Sequence, residues 1–502
     1  MKYISTRGTD YQYTSAQAIK QGIAPDGGLF VPESIPKLTQ DDFMRMTNKT
    51  YVEIAAEVLS LYLDDYSQSE LLDYCTWAYD PEKFGEDPAP LVQINKYNDR
   101  EYILELWHGP TSAFKDMALQ LLPYLMTGAI RKTGEKRKIC ILTATSGDTG
   151  KAALEGFKDV PGTEVIVFYP NSGVSEAQRL QMVTTEGDNV HVLAVKGCFD
   201  DTQSGVKQIF ADAQLEAELK EKGVILSSAN SINWGRLVPQ IAYYVASYAA
   251  LLRNEKIAAG EPINVVVPTG NFGNILAAWY AMKMGVPMNK LICASNRNKV
   301  LSDFLRSGTY DRNRDFYKTN SPSMDILISS NLERLLFEIT GKNGAKVLEW
   351  MGELSDKGTY TVDANTLKTL QGVFVGGFSD EAGIIKTIRD VYDRCDHVID
   401  THTAVGFNVY GRYYQRSADE TKTIFVSTAS PFKFADSVLD AIFGNGYSRG
   451  RSSEVIIREL SEESSLPIPA GLSNLQDKPV LHDTLIEKDD MRSQVLEILS
   501  RQ

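Results

Sequence analysis

Tyr102-Ile103-Leu104-Glu105-Leu106-Trp107 runs directly into His108-Gly109-Pro110-Thr111-Ser112-Ala113-Phe114-Lys115-Asp116, and then into Met117-Ala118-Leu119-Gln120-Leu121-Leu122. The first run has the apolar composition of a buried strand, and the last has the apolar spacing of a helix. Between them, Gly109 and Pro110 mark a turn. A lysine is thereby set between a strand and a helix, beside Trp107 and Phe114. Most lysines are solvated surface cations. One becomes a nucleophile or base only if its pKa is lowered or its amine is already in covalent use. The turn leaves both readings of Lys115 open.

Outward from this turn, short β-rich runs alternate with helical stretches. The runs are Ile139–Thr143, Glu164–Tyr169, Val190–Val195, Ile263–Val267, Lys290–Ala294 and Thr423–Ser427. The helices expected between them include Ser175–Val183, Thr202–Leu215, Arg236–Leu252 and Ile275–Met284. Such alternation over some 300 residues predicts an α/β fold, largely parallel sheets with helices on both faces. Ligands of such sheets bind at the carboxyl ends of strands.

Three further motifs lie at strand ends. Thr143-Ala144-Thr145-Ser146-Gly147-Asp148-Thr149-Gly150-Lys151-Ala152-Ala153 follows a strand and opens a helix. It is superficially similar to a P-loop, but Thr145 stands where the first glycine belongs and Ala152 where a hydroxyl would meet magnesium. An anion-binding turn or a plain tight turn remains. Pro268-Thr269-Gly270-Asn271-Phe272-Gly273-Asn274 repeats the strand, glycine turn and helix order. Ser427-Thr428-Ala429-Ser430-Pro431 offers a hydroxyl. Asn230-Ser231-Ile232-Asn233-Trp234-Gly235-Arg236 adds a guanidinium able to hold an anion bidentately. His402 is either a base or a packed imidazole. Two glycine turns and a lysine on one alternating sheet point to a small-molecule site with two anionic groups near an amine.

The totals bound the alternatives. The chain has 502 residues, 43% of them hydrophobic, 23% charged and 10% aromatic, enough for several domains with a large core. A net charge of −13 argues against nucleic-acid binding. The five cysteines, Cys75, Cys140, Cys198, Cys293 and Cys395, are scattered, with no C-x-x-C pair, so neither zinc nor a disulfide framework is indicated. The N-terminus lacks an apolar signal core, and Leu237–Leu252, interrupted by Pro239, Gln240 and Ser247, is too short and polar for a membrane span. A cytoplasmic protein is expected, with no metal and no membrane partner; its oligomeric state, monomer or dimer, is left open.

Three domains are expected. Residues 1–95 read as an accessory domain, with a turn and short strand in Ala24–Pro32 and helices at Tyr51–Tyr62 and Glu70–Ala78. Residues 96–440 form the α/β region in two subdomains, with a helix-rich insertion at about 300–400 in which 312–314 and 320–322 read as loop. Residues 441–502 form a polar extension expected to wrap the surface.

Together these residues resemble the threonine synthase family, pyridoxal-phosphate enzymes of the tryptophan-synthase-β-like fold (fold type II). His108–Thr111 and Phe114–Asp116 are similar to the family's Schiff-base segment, and Thr145–Gly150 and Gly270–Asn274 to its two glycine loops. Ser5-Thr6-Arg7-Gly8 and Ala24–Pro32 are similar to its N-terminal domain. The resemblance implies that Lys115 is catalytic and holds the cofactor as an imine. It implies that Gly270, Asn271, Phe272, Gly273 and Asn274 cradle the cofactor's phosphate and that Thr428 faces its ring nitrogen. Ser146, Gly147, Asp148, Thr149 and Gly150 would take the substrate carboxylate. Arg236 and Lys433 are the candidates for the substrate phosphate. The implied reaction converts O-phospho-L-homoserine and water into L-threonine and phosphate. A dehydratase, a sulfhydrylase or a non-catalytic relative would use the same lysine and loops. Asp148 departs from much of the wider fold, which has asparagine there, and both Asp148 and Asp116 bring negative charge to a site for anions.

Overall fold

The computed structural model describes residues 1–8, 12–94, 99–145, 147–172, 174–197 and 199–501. Runs of Val, Ile and Leu form strands buried on both faces, as parallel sheets require. The larger sheet has six strands in the order Phe374–Phe378, Met288–Ser295, Ile263–Pro268, Thr423–Ser427, Glu101–Glu105 and Leu91–Gln93. All its pairings are parallel except that of the edge strand Leu91–Gln93 with Glu101–Glu105. At its centre Phe425 lies opposite both Ile103 and Val266. The smaller sheet is wholly parallel, in the order Leu485–Ile486, Val190–Val195, Thr163–Pro170, Lys138–Ala144 and Val224–Ser227. Helices cover both sheets, as the fold class predicts.

Three expectations change. The helix expected over Thr202–Leu215 is two helices, Phe199–Ala211 and Ala213–Glu221. Asp212 divides them, its carboxylate accepting the Leu215 N–H at 2.9 Å as an N-cap. The helix expected over Arg236–Leu252 begins as a separate turn, Trp234–Leu237, and resumes as Pro239–Arg253 because Pro239 cannot donate inside a helix. The tail does not merely wrap the surface. Its strand Leu485–Ile486 pairs with Ala194 and Val195. Its last helix, Met491–Ser500, packs on the helices Phe199–Ala211 and Ala213–Glu221 and buries Met491, Val495, Ile498 and Leu499 in the apolar cluster on that side of the smaller sheet.

The N-terminal region is stitched to the rest by charge and backbone. The strand Phe30–Pro32 pairs antiparallel with Tyr3–Ser5. Arg334, fully buried, donates to the carbonyls of Phe30, Ser231 and Ile232 at 2.9, 3.2 and 2.6 Å. Glu333 accepts from Thr6 Oγ1 at 2.6 Å and from both Arg7 nitrogens, Nε at 3.0 Å and Nη2 at 3.1 Å. No helix among the described residues is long and apolar enough to cross a membrane.

Candidate active site

Four strand ends converge on one cavity of about 160 Å³ between the two sheets. The lysine turn and the turn after Ser427 are laced together: Phe114 N–H donates to Thr428 O at 2.9 Å and Ser430 N–H to Ser112 O at 3.0 Å. The turn's shape follows from its residues. Ser112 adopts φ +59°, and Asp116 folds back to accept from Thr111 N–H at 2.8 Å and Thr111 Oγ1 at 2.6 Å. A side chain on Gly109 would meet Asp116 Cβ at 2.5 Å, so only glycine fits beneath that carboxyl. Burial, opposed by the Thr111 bonds, raises the Asp116 carboxyl to about 6. Asp116 is thus a brace for the turn, pointing away from the cavity it was expected to burden.

Lys115 is 8% exposed and its Nζ lies 2.8 Å from Asp148 Oδ2. Burial pushes its amine below the ordinary lysine value; Lys433 and Arg236 push the same way, against the opposing pull of Asp148. Asp148 is the first residue of the helix Asp148–Phe157. Its Oδ2 also accepts from Ser323 Oγ at 2.8 Å, while Oδ1 meets Lys433 Nζ at 2.8 Å and Gln178 Nε2 at 2.9 Å. Burial alone would raise this carboxyl, but the two lysines hold it well below the usual carboxylate range. The negative charge is therefore divided between two cations.

The glycine loops differ. In the first, Gly147 and Gly150 do not line the cavity. Both donate their N–H to Thr145 Oγ1, at 2.9 and 2.8 Å, and so close the turn itself. Gly147 sits at φ +132° with Gln178 where a Cβ would be, at 2.5 Å. Thr145, Asp148 and Thr149 do line the cavity; Ser146 lies outside the described residues. In the second loop all of Gly270 through Asn274 line it. Phe272 takes φ +63° and the helix Gly273–Met284 starts with no side-chain cap, leaving its first N–H groups for an anion. Tyr243 and Tyr244 both donate to Asn274 Oδ1, at 2.6 and 2.5 Å, and Asn274 Nδ2 is buried without a partner.

Arg236 lines the cavity and is 5% exposed. It donates to Ala229 O at 2.7 Å and Thr149 Oγ1 at 3.3 Å, and no carboxylate among the described residues pairs with it. Burial lowers its guanidinium to about 10. Thr428 also lines the cavity. Lys433 does not: its fully buried amine is held by Asp148, Thr111 O at 2.9 Å and Gln181 Oε1 at 3.3 Å. Lys433, a candidate for the substrate phosphate, thus turns its amine to Asp148 and not to the cavity.

Sequence reading missed the segment that covers the cavity. Ser323, Met324, Ile326, Ile328 and Ser330 come from the insertion and form one wall. The backbone there touches the glycine turn so closely that a Cβ on Gly270 would stand 3.1 Å from Ser323 O. His402, offered as a base, serves this wall. Its Nδ1 lies 2.7 Å from Asp400 Oδ2, and its Nε2 accepts the Ser323 N–H at 3.2 Å. That pattern assigns the ring proton to Nδ1 and occupies the other nitrogen. Asp325 anchors the same loop by accepting from Thr319 and Asn296. The loop's sequence carries no motif; only its contacts identify it.

Comparisons with known proteins agree along the chain. Residues 2–79 match the family described as threonine synthase N terminus, 83–381 the pyridoxal-phosphate dependent enzyme family, and 403–489 the threonine synthase C-terminal family. Threonine synthase-like 1 of Macaca fascicularis is 37% identical over 485 residues, covering 94% of this chain but only 62% of that longer relative. Threonine synthase of Pseudomonas aeruginosa is 38% identical over 450 residues, covering 88% of this chain and 91% of the relative. The crystal structure of pyridoxal-phosphate-bound threonine synthase from Brucella melitensis superposes with TM-score 0.86 at 34% identity, covering 100% of this chain and 99% of that one. With a buried lysine, an uncapped glycine turn and three matched segments from residue 2 to residue 489, this chain belongs to the threonine synthase family of pyridoxal-phosphate-dependent enzymes.

Proposed function

We propose that this protein converts O-phospho-L-homoserine and water into L-threonine and phosphate. The observation that carries the reading is a buried, pKa-lowered lysine in one cavity with an uncapped helix start and a buried arginine that has no carboxylate partner among the described residues. The residues fit pyridoxal phosphate. The N–H groups of the Gly270–Asn274 turn and the orphaned Asn274 Nδ2 suit its phosphate. Lys115 would hold it covalently, and the neutral hydroxyl of Thr428 would face the ring nitrogen. When bound, that cofactor supplies an electron sink for a carbanion at the substrate's Cα.

The chain's own residues do the rest. Lys115 Nζ, kept below its ordinary pKa by burial and two neighbouring cations, is able to be neutral and so to accept the Cα proton. Arg236 holds an anionic end of the substrate, assisted by the Thr149 hydroxyl to which it already donates. With Gly147 and Gly150 committed to Thr145, the carboxylate subsite narrows to the start of the helix at Asp148 and Thr149. The wall from Ser323 to Ser330 excludes bulk water, so that only a positioned water adds at Cβ. We further assign residues 1–95, 96–440 and 441–502 as the three domains and the cytoplasm as the compartment.

The test is direct. The purified holoprotein should show a visible absorbance band that disappears in Lys115→Ala. It should release phosphate from O-phospho-L-homoserine in step with threonine formation, a release lost by at least about a hundredfold in the variant, since general-base catalysis alone contributes about 10²–10⁴. Ammonia release from threonine without phosphate release would make it a dehydratase; a band without turnover would make it a non-catalytic relative.

A further inference from the structure

Lys433 is fully buried behind Asp148, on the side away from the cavity. Asp148 uses both oxygens fully: Lys115 and Ser323 on Oδ2, Lys433 and Gln178 on Oδ1. A base must be neutral before it accepts its proton. If Lys115 were the only cation at Asp148, each neutralisation of Lys115 would leave an unpaired buried anion. Such a group takes up a proton rather than remain charged.

We propose that Lys433 is a positioning residue, a buried counter-cation that keeps Asp148 ionised and fixed in place while Lys115 Nζ gains and loses its proton. The proposal rests on the reading of Lys115 as the reactive amine. The other charged groups around the pair do not substitute for Lys433. Arg236, from the turn Trp234–Leu237, reaches Ala229 O and Thr149 rather than Asp148. His402, from the helix Thr401–Ser417, is committed to Asp400 and Ser323. Asp116 faces Thr111. Lys433 is itself fixed by Thr111 O, in the lysine turn, and by Gln181, so one amine ties the position of Asp148 to that of the turn carrying Lys115.

Infrared spectroscopy of the full-length protein, with and without cofactor, tests this. Lys433→Met is expected to show at neutral pH a carboxylic-acid C=O band that is missing from the wild type and from the double variant Asp148→Asn/Lys433→Met. In the holoprotein the same variant is expected to add a pH transition to the cofactor's visible band. If Lys433→Met keeps an ionised carboxylate and an unchanged pH profile while only its Tm falls, Lys433 is a packing residue and the proposal is wrong. Should Lys433→Met fail to fold, the wild type minus Asp148→Asn difference spectrum decides. An ionised carboxylate throughout the protein's stable pH range supports the proposal, and a carboxylic acid at neutral pH overturns it. Lys115→Ala tests the reactive-amine reading separately, because the infrared band reports on Asp148 whether or not cofactor binds.

Discussion

The two aspartates beside Lys115 have opposite electrostatic fates, and the difference lies in their partners. Asp148 has two lysines and is held charged; Asp116 has a hydroxyl and an amide, and burial raises it to about 6. Its unfolded value is near 3.8, so the folded state binds the proton more tightly. The stability this contributes is present below the unfolded value and is lost as pH rises through the folded one. The shift of about 2 units corresponds to about 3 kcal/mol. Relative to Asp116→Asn, the wild type should therefore lose about that much stability between about pH 4 and pH 6, and nothing further above. Denaturant melts of both proteins across this window check it; parallel curves would mean that Asp116 is ionised in the folded state. From the sequence Asp116 was only a neighbouring charge, because which way a carboxyl turns is set by what packs around it.

At the scale of elements, the spacing of Lys115 and Asp148 is fixed by how two helices touch. Gly156, inside the helix Asp148–Phe157, lies against the end of the helix Asp116–Leu119; a Cβ there would stand 2.1 Å from Leu119 O. The clashing atom is backbone and cannot swing aside. Gly156→Ala gains about 1 kcal/mol in helix preference but incurs overpacking of about 1–3 kcal/mol. With a carbonyl as the obstacle, a net loss of about 1–2 kcal/mol is expected, together with weaker cofactor retention as the two helices separate. Urea unfolding and the visible band measured after dialysis test both parts; a more stable variant with a full band would refute the contact. In the sequence Gly156 is one glycine among 37 and carries no signal of its role. The strand and helix pattern around it is legible because burial on both faces demands continuous apolar runs.

For the whole molecule, Arg334 joins the N-terminal region to the loop that borders the cavity. Its side chain satisfies the carbonyls of Phe30, Ser231 and Ile232, and Ser231 and Ile232 line the cavity. Arg334→Met would leave these acceptors buried and unpaired, at about 1–3 kcal/mol each, partly offset by removal of a buried charge. A destabilisation of about 3 kcal/mol is expected, with faster proteolysis of the N-terminal region and a raised cofactor dissociation constant. Limited proteolysis and a fluorescence titration with cofactor measure these. If the N-terminal region stays protected and affinity is unchanged, the docking depends on apolar contacts such as Tyr3 against Trp234 instead.

The sequence by itself determined the alternating fold, the glycine turns at strand ends and the lysine on its turn. These are local properties: periodicity, glycine and proline placement, and helix starts all act within a few residues. The tertiary structure alone decided which charges meet. Lys433, which lies 285 residues after Asp148 in the chain, places its amine 2.8 Å from that carboxylate as a second cation beside Lys115. The cavity wall at Ser323 came from an insertion with no motif, and a tail expected on the surface completes the smaller sheet. Electrostatics and packing act through space between residues far apart in the chain, so a lysine on its turn can be read in order along the sequence, but the charges that surround its amine cannot.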